Sequence, residues 1–384
     1  MLLIENTADL IDFCEKLQKE NFITVDLEFM REKTYYAQIC LIQVASKNNA
    51  AIIDPIAKDI DLSPFWKIMQ DDKIVKVFHS GRQDIEIIYN LSGKIPHPIF
   101  DTQIAAMVCG FGEFIGYEPL VEEMLGLELD KTCRLTNWYL RPLDREQLEY
   151  ALSDVTHLVG VYEKLSELLK EKKREHWVDE EIAELQNPEL YEVNPENAWE
   201  RIRYSSHSSK FLRILQGLAK WRELRAQSHN IPRQSIIKDE CLVSIAAMAP
   251  KTVEQLSQVR NIRNDVLKGK LAEEILNSIK DALSHPIKIK KPKKNKPMTA
   301  GQASLFELLK IMLKIVSLQE GVVGRVIVSD DYLKKFAMKY QDEQNPLLKG
   351  WRKEIFGEEA LLMREGKISI CYNCVTQRVE FNHE

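Results

Sequence analysis

The chain has 384 residues, 45% of them apolar and 29% charged, a composition that supports two to three domains with ordinary cores and excludes a disordered or membrane-embedded polymer. Its net charge of −5 divides unevenly, with residues 1–200 summing to −18, residues 201–300 to +13 and residues 301–384 to 0. The longest nearly apolar run, 306–318, is broken by Glu307, Lys310 and Lys314 and falls short of the roughly 20 apolar residues of a membrane span.

The first residues carry Glu5, Asp9 and Asp12 without a basic region, so no signal peptide is expected and a cytoplasmic location is. Seven scattered cysteines are odd in number and predict reduced thiols. Cys371 and Cys374 form one C-x-x-C, but with only His383 nearby they fall short of a four-ligand zinc site.

In chain order, Phe22-Ile23-Thr24-Val25, residues 39–44 and Ala51-Ile52-Ile53 read as strands, followed by a helix over 63–69 and a fourth strand over 74–78. The closeness of the first three predicts an antiparallel meander, and the fourth a mixed sheet flanked by helices. Helices are predicted over 84–91, 102–108, 119–125 and, with a carboxylate-rich first turn, 144–173. Residues 1–175 therefore read as one α/β domain. Residues 176–208, acidic and then serine-rich with Pro188 and Pro195, read as a connector, and residues 209–286 as a small all-helical domain. Residues 287–298 hold six lysines beside prolines, the mark of an extended linker. Residues 299–384 regain helical patterning and read as a second small helical domain.

Four carboxylates and one phenol stand out by position. Asp26 and Glu28 end the first strand two residues apart, so both project from one face, and hard anions paired there suit Mg²⁺ or Mn²⁺. Alone, D-x-E also fits a solvated strand end. Asp84 follows the fourth strand through His79-Ser80-Gly81 at a helix start, where a helix-terminal charge explains it equally; Asp101, directly before Thr102, reads as an N-cap. Tyr150 and Asp154 share a helix face one turn apart among Leu148, Ala151, Leu152, Val155 and Leu158. A carboxylate there is costly unless it is bonded or holds a metal, and a Tyr150–Asp154 hydrogen bond is the structural alternative.

The order Asp-x-Glu, Asp, Tyr-x-x-x-Asp over residues 26–154 resembles the three motifs of the DEDD 3′ to 5′ exonuclease superfamily, tyrosine subclass. With Asp26-Leu27-Glu28-Phe29, Thr34-Tyr35-Tyr36, Leu41-Ile42-Gln43, Ile53-Asp54-Pro55, His79-Ser80-Gly81, Asp101-Thr102-Gln103-Ile104, Leu129-Asp130-Lys131, Trp138, Arg141-Pro142-Leu143 and Tyr150-Ala151-Leu152-Ser153-Asp154, it is similar to the bacterial ribonuclease D family. Residues 211–283, with Trp221-Arg222, resemble the helicase-and-RNase-D C-terminal (HRDC) domain. Thr136-Asn137-Trp138 departs from the family pattern, where an aspartate stands in the middle.

The resemblance implies a ribonuclease H-like exonuclease domain followed by two HRDC-type helical domains. It implies catalysis by Asp26, Glu28, Asp84, Tyr150 and Asp154. The four acids would hold two divalent cations, with Asp26 bridging, Glu28 and Asp154 completing the first site and Asp84 supporting the second, while Tyr150 orients the attacking water. Nucleoside 5′-monophosphates would leave from the 3′ end of RNA, tRNA precursors being the implied substrate, and the protein is expected to act as a monomer. Phe29, an aromatic fit for stacking on a terminal base or for core packing, His79 and Arg141 are expected substrate contacts. His157, three residues after Asp154, is off the position a catalytic histidine would need. The +13 segment, including Arg201, Lys210, Arg213, Lys220, Arg225 and Lys270, is a candidate RNA-holding surface. A DNA 3′ to 5′ exonuclease and a catalytically idle nucleic-acid-binding protein are the competing readings; the intact five-residue set argues against the second.

Overall fold

The computed structural model describes residues 2–129, 136–206, 208–284, 297–338 and 344–383. The lysine run expected to be a linker, and Asp130 and Lys131 of the family motif, lie outside the described residues. Two compact units emerge: Met1–Glu28 with Cys40–Asn187 and Asn295–Glu384, and Phe29–Ile39 with Pro188–Lys294.

The first unit is built on a sheet of β1 (Leu3–Ile4), β2 (Phe22–Met30), β3 (Gln38–Ala45), β4 (Ala50–Ile53), β5 (Val75–Phe78) and β6 (Ile99–Asp101) in the spatial order β1-β4-β3-β2-β5-β6. β3 pairs antiparallel with β4, and β1–β4, β2–β5 and β5–β6 are parallel, so the sheet is mixed, as the sequence predicts. β1 and β6 escaped the sequence reading because two and three residues are too few for alternation to register.

The helices of this part are α1 (Thr7–Leu17), α2 (Ser63–Met69), α3 (Arg82–Ser92), α4 (Thr102–Cys109), α5 (Tyr117–Leu125), α6 (Arg145–Lys172) and α7 (Glu175–Leu185). Asp144 starts α6 with a reciprocal capping box to Gln147. Ala151, Val155, Leu158, Val161, Leu165 and Leu169 then form a buried stripe at three- and four-residue spacing that lays the helix over β4 and β5. The turn after β5 takes Ser80 to φ 57°, and a Cβ on Gly81 would come 2.4 Å from Phe78 Cβ. Glycine is therefore required there for close approach, and the chain enters α3 directly.

The second unit comprises α8 (Ser209–His229), α9 (Arg233–Ile236), α10 (Asp239–Met248), α11 (Val253–Ser257) and α12 (Lys270–Ser284). Leu212, Leu215, Leu218, Ile245, Leu256 and Ile275 fill its core, and Tyr35 joins them. The Tyr35 hydroxyl donates to Glu223, a carboxylate only 1% exposed that also pairs with Arg233 at 3.2 Å. Several charges counted toward the basic segment are thus engaged inside this unit: Arg222 with Asp239 at 2.7 Å, Arg225 with Glu274 at 2.7 Å, and Lys220 with Glu196.

The chain returns to the first unit with α13 (Ala300–Glu320), α14 (Gly324–Ile327), α15 (Asp330–Met338), α16 (Gly350–Arg352) and α17 (Glu358–Arg364). The expectation of an all-helical second small domain fails at its end, where β7 (Ile368–Asn373) pairs antiparallel with β8 (Arg378–His383). The cause is a switch to period-two patterning in Ile368-Ser-Ile370-Cys-Tyr372 and Val379-Glu-Phe381, around a turn with Gln377 at φ 54°. This part is fastened to α7. Arg352 pairs with Glu181, whose Oε1 also accepts from Trp351 Nε1 at 2.9 Å. Arg174 donates to the carbonyls of Val108 and Glu320 at 2.8 Å each.

Candidate active site

Alternation along β2 puts Thr24, Asp26 and Glu28 on one face, and α6 crosses with Asp154 toward it. One oxygen from each of Asp26, Glu28 and Asp154 lies within 4.8 Å of the others. Asp84, in the first turn of α3 and 8% exposed, lies close enough to Asp26 for that carboxylate's charge to raise its pKa. Asp84 thus opens a helix, as one reading of it held, and stands beside the group formed by Asp26, Glu28 and Asp154.

Burial is the largest cause of the electrostatic state of these acids. It pushes Asp26 up to about 7 against the Leu27 hydrogen bond. Burial, then the charges of Asp26, Asp154 and Asp84, pushes Glu28 up to about 9. Burial, then Asp26 and Glu118, pushes Asp154 up to about 8, and burial and Asp26 raise Asp84 well above its ordinary range. Four hard oxygen donors that cannot all ionise together in this setting have the chemistry of a divalent cation site, because a bound cation offsets the mutual repulsion that otherwise favours protonation.

Tyr150, one turn before Asp154, has its phenol raised by burial first and then by Asp154, Glu28 and Asp26, so it stays protonated and able to donate. Its ring lies 6.2 Å from that of the buried Trp138.

Arg141 donates to both oxygens of Asp54 at 2.6 and 2.8 Å and to the carbonyls of Trp138, Leu140 and Cys40 at 2.7, 2.9 and 2.7 Å. All five of its N–H groups are engaged, so Arg141 ties the Trp138 loop to the sheet. His79 Nδ1 is 3.0 Å from Thr102 Oγ1, and its ring is 5.5 Å from that of Tyr117, which makes it an inner support of the site. Phe29, half-buried, belongs to the second unit and is not among the clustered groups. His157 is half-buried on α6, and burial lowers its pKa.

Asp101 performs the N-cap role read from the sequence, accepting from Gln103 and Ile104 at 2.8 and 3.3 Å, and it also accepts from Ser80 and Gly81 at 3.1 and 2.8 Å. Sequence reasoning missed Tyr117, whose pKa rises through burial and then the charges of Asp154 and Asp26. Its only sequence signal is an aromatic residue after Gly116 at a helix start.

Comparison with known proteins agrees with this geometry. The signature described as 3′-5′ exonuclease matches residues 1–170, and that of the HRDC domain matches residues 211–279. A ribonuclease D from Bartonella henselae is 42% identical over 369 residues, covering 96% of this chain and 91% of the relative. The chain belongs to the ribonuclease D family. Another ribonuclease D, from Nitrobacter hamburgensis, is 42% identical over 374 residues, covering 96% of this chain and 97% of its own length. The fold extends the match: the crystal structure of Escherichia coli RNase D, described as an exoribonuclease involved in structured RNA processing, superposes with a TM-score of 0.78 at 28% identity, covering 94% of this chain and 98% of that one. The protein is thus a ribonuclease D-type 3′ to 5′ exoribonuclease, a hydrolase of phosphodiester bonds. Among the described residues, no helix is long and apolar enough to cross a membrane.

Proposed function

We propose that this ribonuclease D uses two divalent cations, Mg²⁺ or Mn²⁺, to trim the 3′ ends of structured RNA precursors, tRNA precursors among them, releasing nucleoside 5′-monophosphates. The observation that carries the reading is the convergence of Asp26, Glu28 and Asp154 within 4.8 Å, with Asp84 near enough for the Asp26 charge to raise its pKa. Asp26, Glu28, Asp84 and Asp154 would hold the cations, and Tyr150 would donate to the attacking water and orient it. Bound there, cations lower the pKa of a water and stabilise the leaving 3′ oxygen.

The same reading divides the chain into an exonuclease domain (1–175), a connector (176–208), an HRDC domain (209–286), a lysine-rich linker (287–298) and a second HRDC-like module (299–384) that ends in the β7–β8 hairpin. It takes the enzyme as a cytoplasmic monomer. RNA affinity is assigned to basic residues outside the internal ion pairs, Lys210 and Lys270 among them, and to the lysine run.

The test is incubation with 3′-extended tRNA precursor and with single-stranded DNA of the same sequence, both 5′-labelled, in Mn²⁺. Stepwise shortening of the RNA, abolished by Asp26→Asn, is expected. Shortening that survives Asp26→Asn overturns the metal reading, and preference for the DNA overturns the substrate reading.

A further inference from the structure

Asp154 must stand at a fixed distance from Asp26 and Glu28, although it is carried by a helix and they by a strand. Apolar packing is non-directional and does not by itself set a helix's position along its axis to a fraction of the 1.5 Å rise per residue. A cation such as Mg²⁺ demands ligand oxygens at about 2.0–2.1 Å in near-ideal geometry, so a slip of even part of one residue would empty a coordination position.

Two hydroxyls meet α6 on either side of Asp154. Thr24 Oγ1, fully buried and on the same face of β2 as Asp26 and Glu28, donates to the Val155 carbonyl at 2.8 Å, with a longer contact to the Ala45 carbonyl at 3.2 Å. Tyr117 Oη, at the start of α5, donates to the Ser153 carbonyl at 3.2 Å. A carbonyl in a helix interior uses one lone pair for the helical amide four residues on, and its second lone pair is open to such a donor without breaking the helix. Tyr117 is backed in turn by His79, which contacts Thr102, and Thr102 Oγ1 donates to the Phe78 carbonyl at the end of β5 at 3.1 Å.

We infer that Thr24 and Tyr117 form a two-point hydroxyl clamp on the carbonyls flanking Asp154, and that both are positioning residues for cation capture. The inference rests on the reading of Asp154 as a cation ligand. Thr24 holds α6 to the strand that carries the other two carboxylates. Tyr117 holds it from α5, so the two bonds together fix both the rise and the rotation of the helix at that turn.

The test uses the full chain and Mn²⁺ alone as probe, measured by calorimetry without RNA, beside steady-state kinetics on RNA. Thr24→Val, nearly isosteric, and Tyr117→Phe, which keeps the ring, are each expected to weaken Mn²⁺ binding roughly tenfold, as loss of a group supporting a metal ligand does. KM for RNA at saturating Mn²⁺ should stay unchanged, and kcat lost at low Mn²⁺ should return as Mn²⁺ is raised. Thr24→Ser, which keeps the hydroxyl, should bind Mn²⁺ as the parent does. Wild-type Mn²⁺ affinity in both Thr24→Val and Tyr117→Phe, while Asp154→Asn abolishes binding, overturns the clamp alone. Unchanged Mn²⁺ binding in Asp154→Asn overturns the cation reading itself. If Thr24→Val fails to fold, Tyr117→Phe decides the question by the same measurements.

Discussion

The indoles of Trp177 and Trp351 stack with ring centroids 4.4 Å apart and planes 13° from parallel. Arg174 lies over the first ring and Arg352 over the second, at 4.4 and 4.3 Å, so two guanidinium groups accompany two aromatic faces at one buried junction. Trp351 is fully buried and Trp177 4% exposed. Replacing Trp351 by alanine is expected to cost about 3–5 kcal/mol through the lost packing and the cavity left behind. Urea unfolding should report that loss, while Mn²⁺ binding at the carboxylate cluster stays at the parental level in the folded variant.

On the proposed mechanism, Tyr150 separates water orientation from cation binding. Its phenol stays protonated under burial and the neighbouring carboxylates. Tyr150→Phe keeps the ring against Trp138 and removes only the hydroxyl. A fall in kcat of about 100-fold, the lower range for a positioned proton-transfer group, is expected with Mn²⁺ affinity unchanged. Single-turnover kinetics and calorimetry on the same preparation check both parts.

The raised carboxylate pKa values set a direction for stability against pH. Unfolded aspartate and glutamate titrate near 4, whereas Asp26, Asp154 and Glu28 are pushed up to about 7, 8 and 9. Stability associated with their protonated forms is fully present below the unfolded values and is lost as pH rises through 7 to 9. Buried Lys76, lowered to about 8 by desolvation, acts in the opposite direction above that pH. The informative comparison is therefore with Glu28→Gln. In chelator, the parent should lose more thermal stability than Glu28→Gln between pH 6 and pH 9, and Mn²⁺ should restore most of the difference.

Arg141 and Asp54 form a bidentate pair, with the carboxylate 2% exposed. Arg141→Ala leaves that charge buried without its partner, a change worth about 3 kcal/mol or more. Arg141→Lys should recover little, because an ammonium cannot reproduce the fork. Denaturant unfolding measures the loss, and KM for RNA in the folded fraction should stay near the parental value.

Charge also divides the basic segment by function. Lys220 and Arg225 already face Glu196 and Glu274, so replacing them with glutamine should change the salt dependence of RNA binding little. Replacing Lys288, Lys290, Lys291, Lys293, Lys294 and Lys296 with glutamine should flatten the slope of log affinity against log salt. The limit is about four if each lysine meets one phosphate of a single strand. Filter binding over a salt series reads both outcomes.

The carboxylate cluster and its neighbouring phenol were legible because they obey local rules: Asp26 and Glu28 share a face by strand alternation, and Tyr150 and Asp154 by helical spacing. The Asp101 cap was legible for the same reason. Thr24 and Tyr117 were not, because their partners are backbone carbonyls 131 and 36 residues away, and a carbonyl leaves no trace in side-chain patterning. Arg141 was visible as a motif residue, but nothing in the sequence reveals that Asp54 and three carbonyls already use its donors. The β7–β8 hairpin was overlooked because its alternation follows a long stretch of helical patterning.

Tyr35 is separated from Glu223 by 188 residues, and this spacing bears on how the protein is made. While the chain is being synthesised, the aromatic side chain emerges soon after Asp26 and Glu28, yet the helix that receives it appears only after more than half of the polypeptide exists. A shortened chain ending near residue 187 would keep every clustered carboxylate and leave Tyr35 without its core. Such a fragment should show exposed apolar surface and a tendency to self-associate.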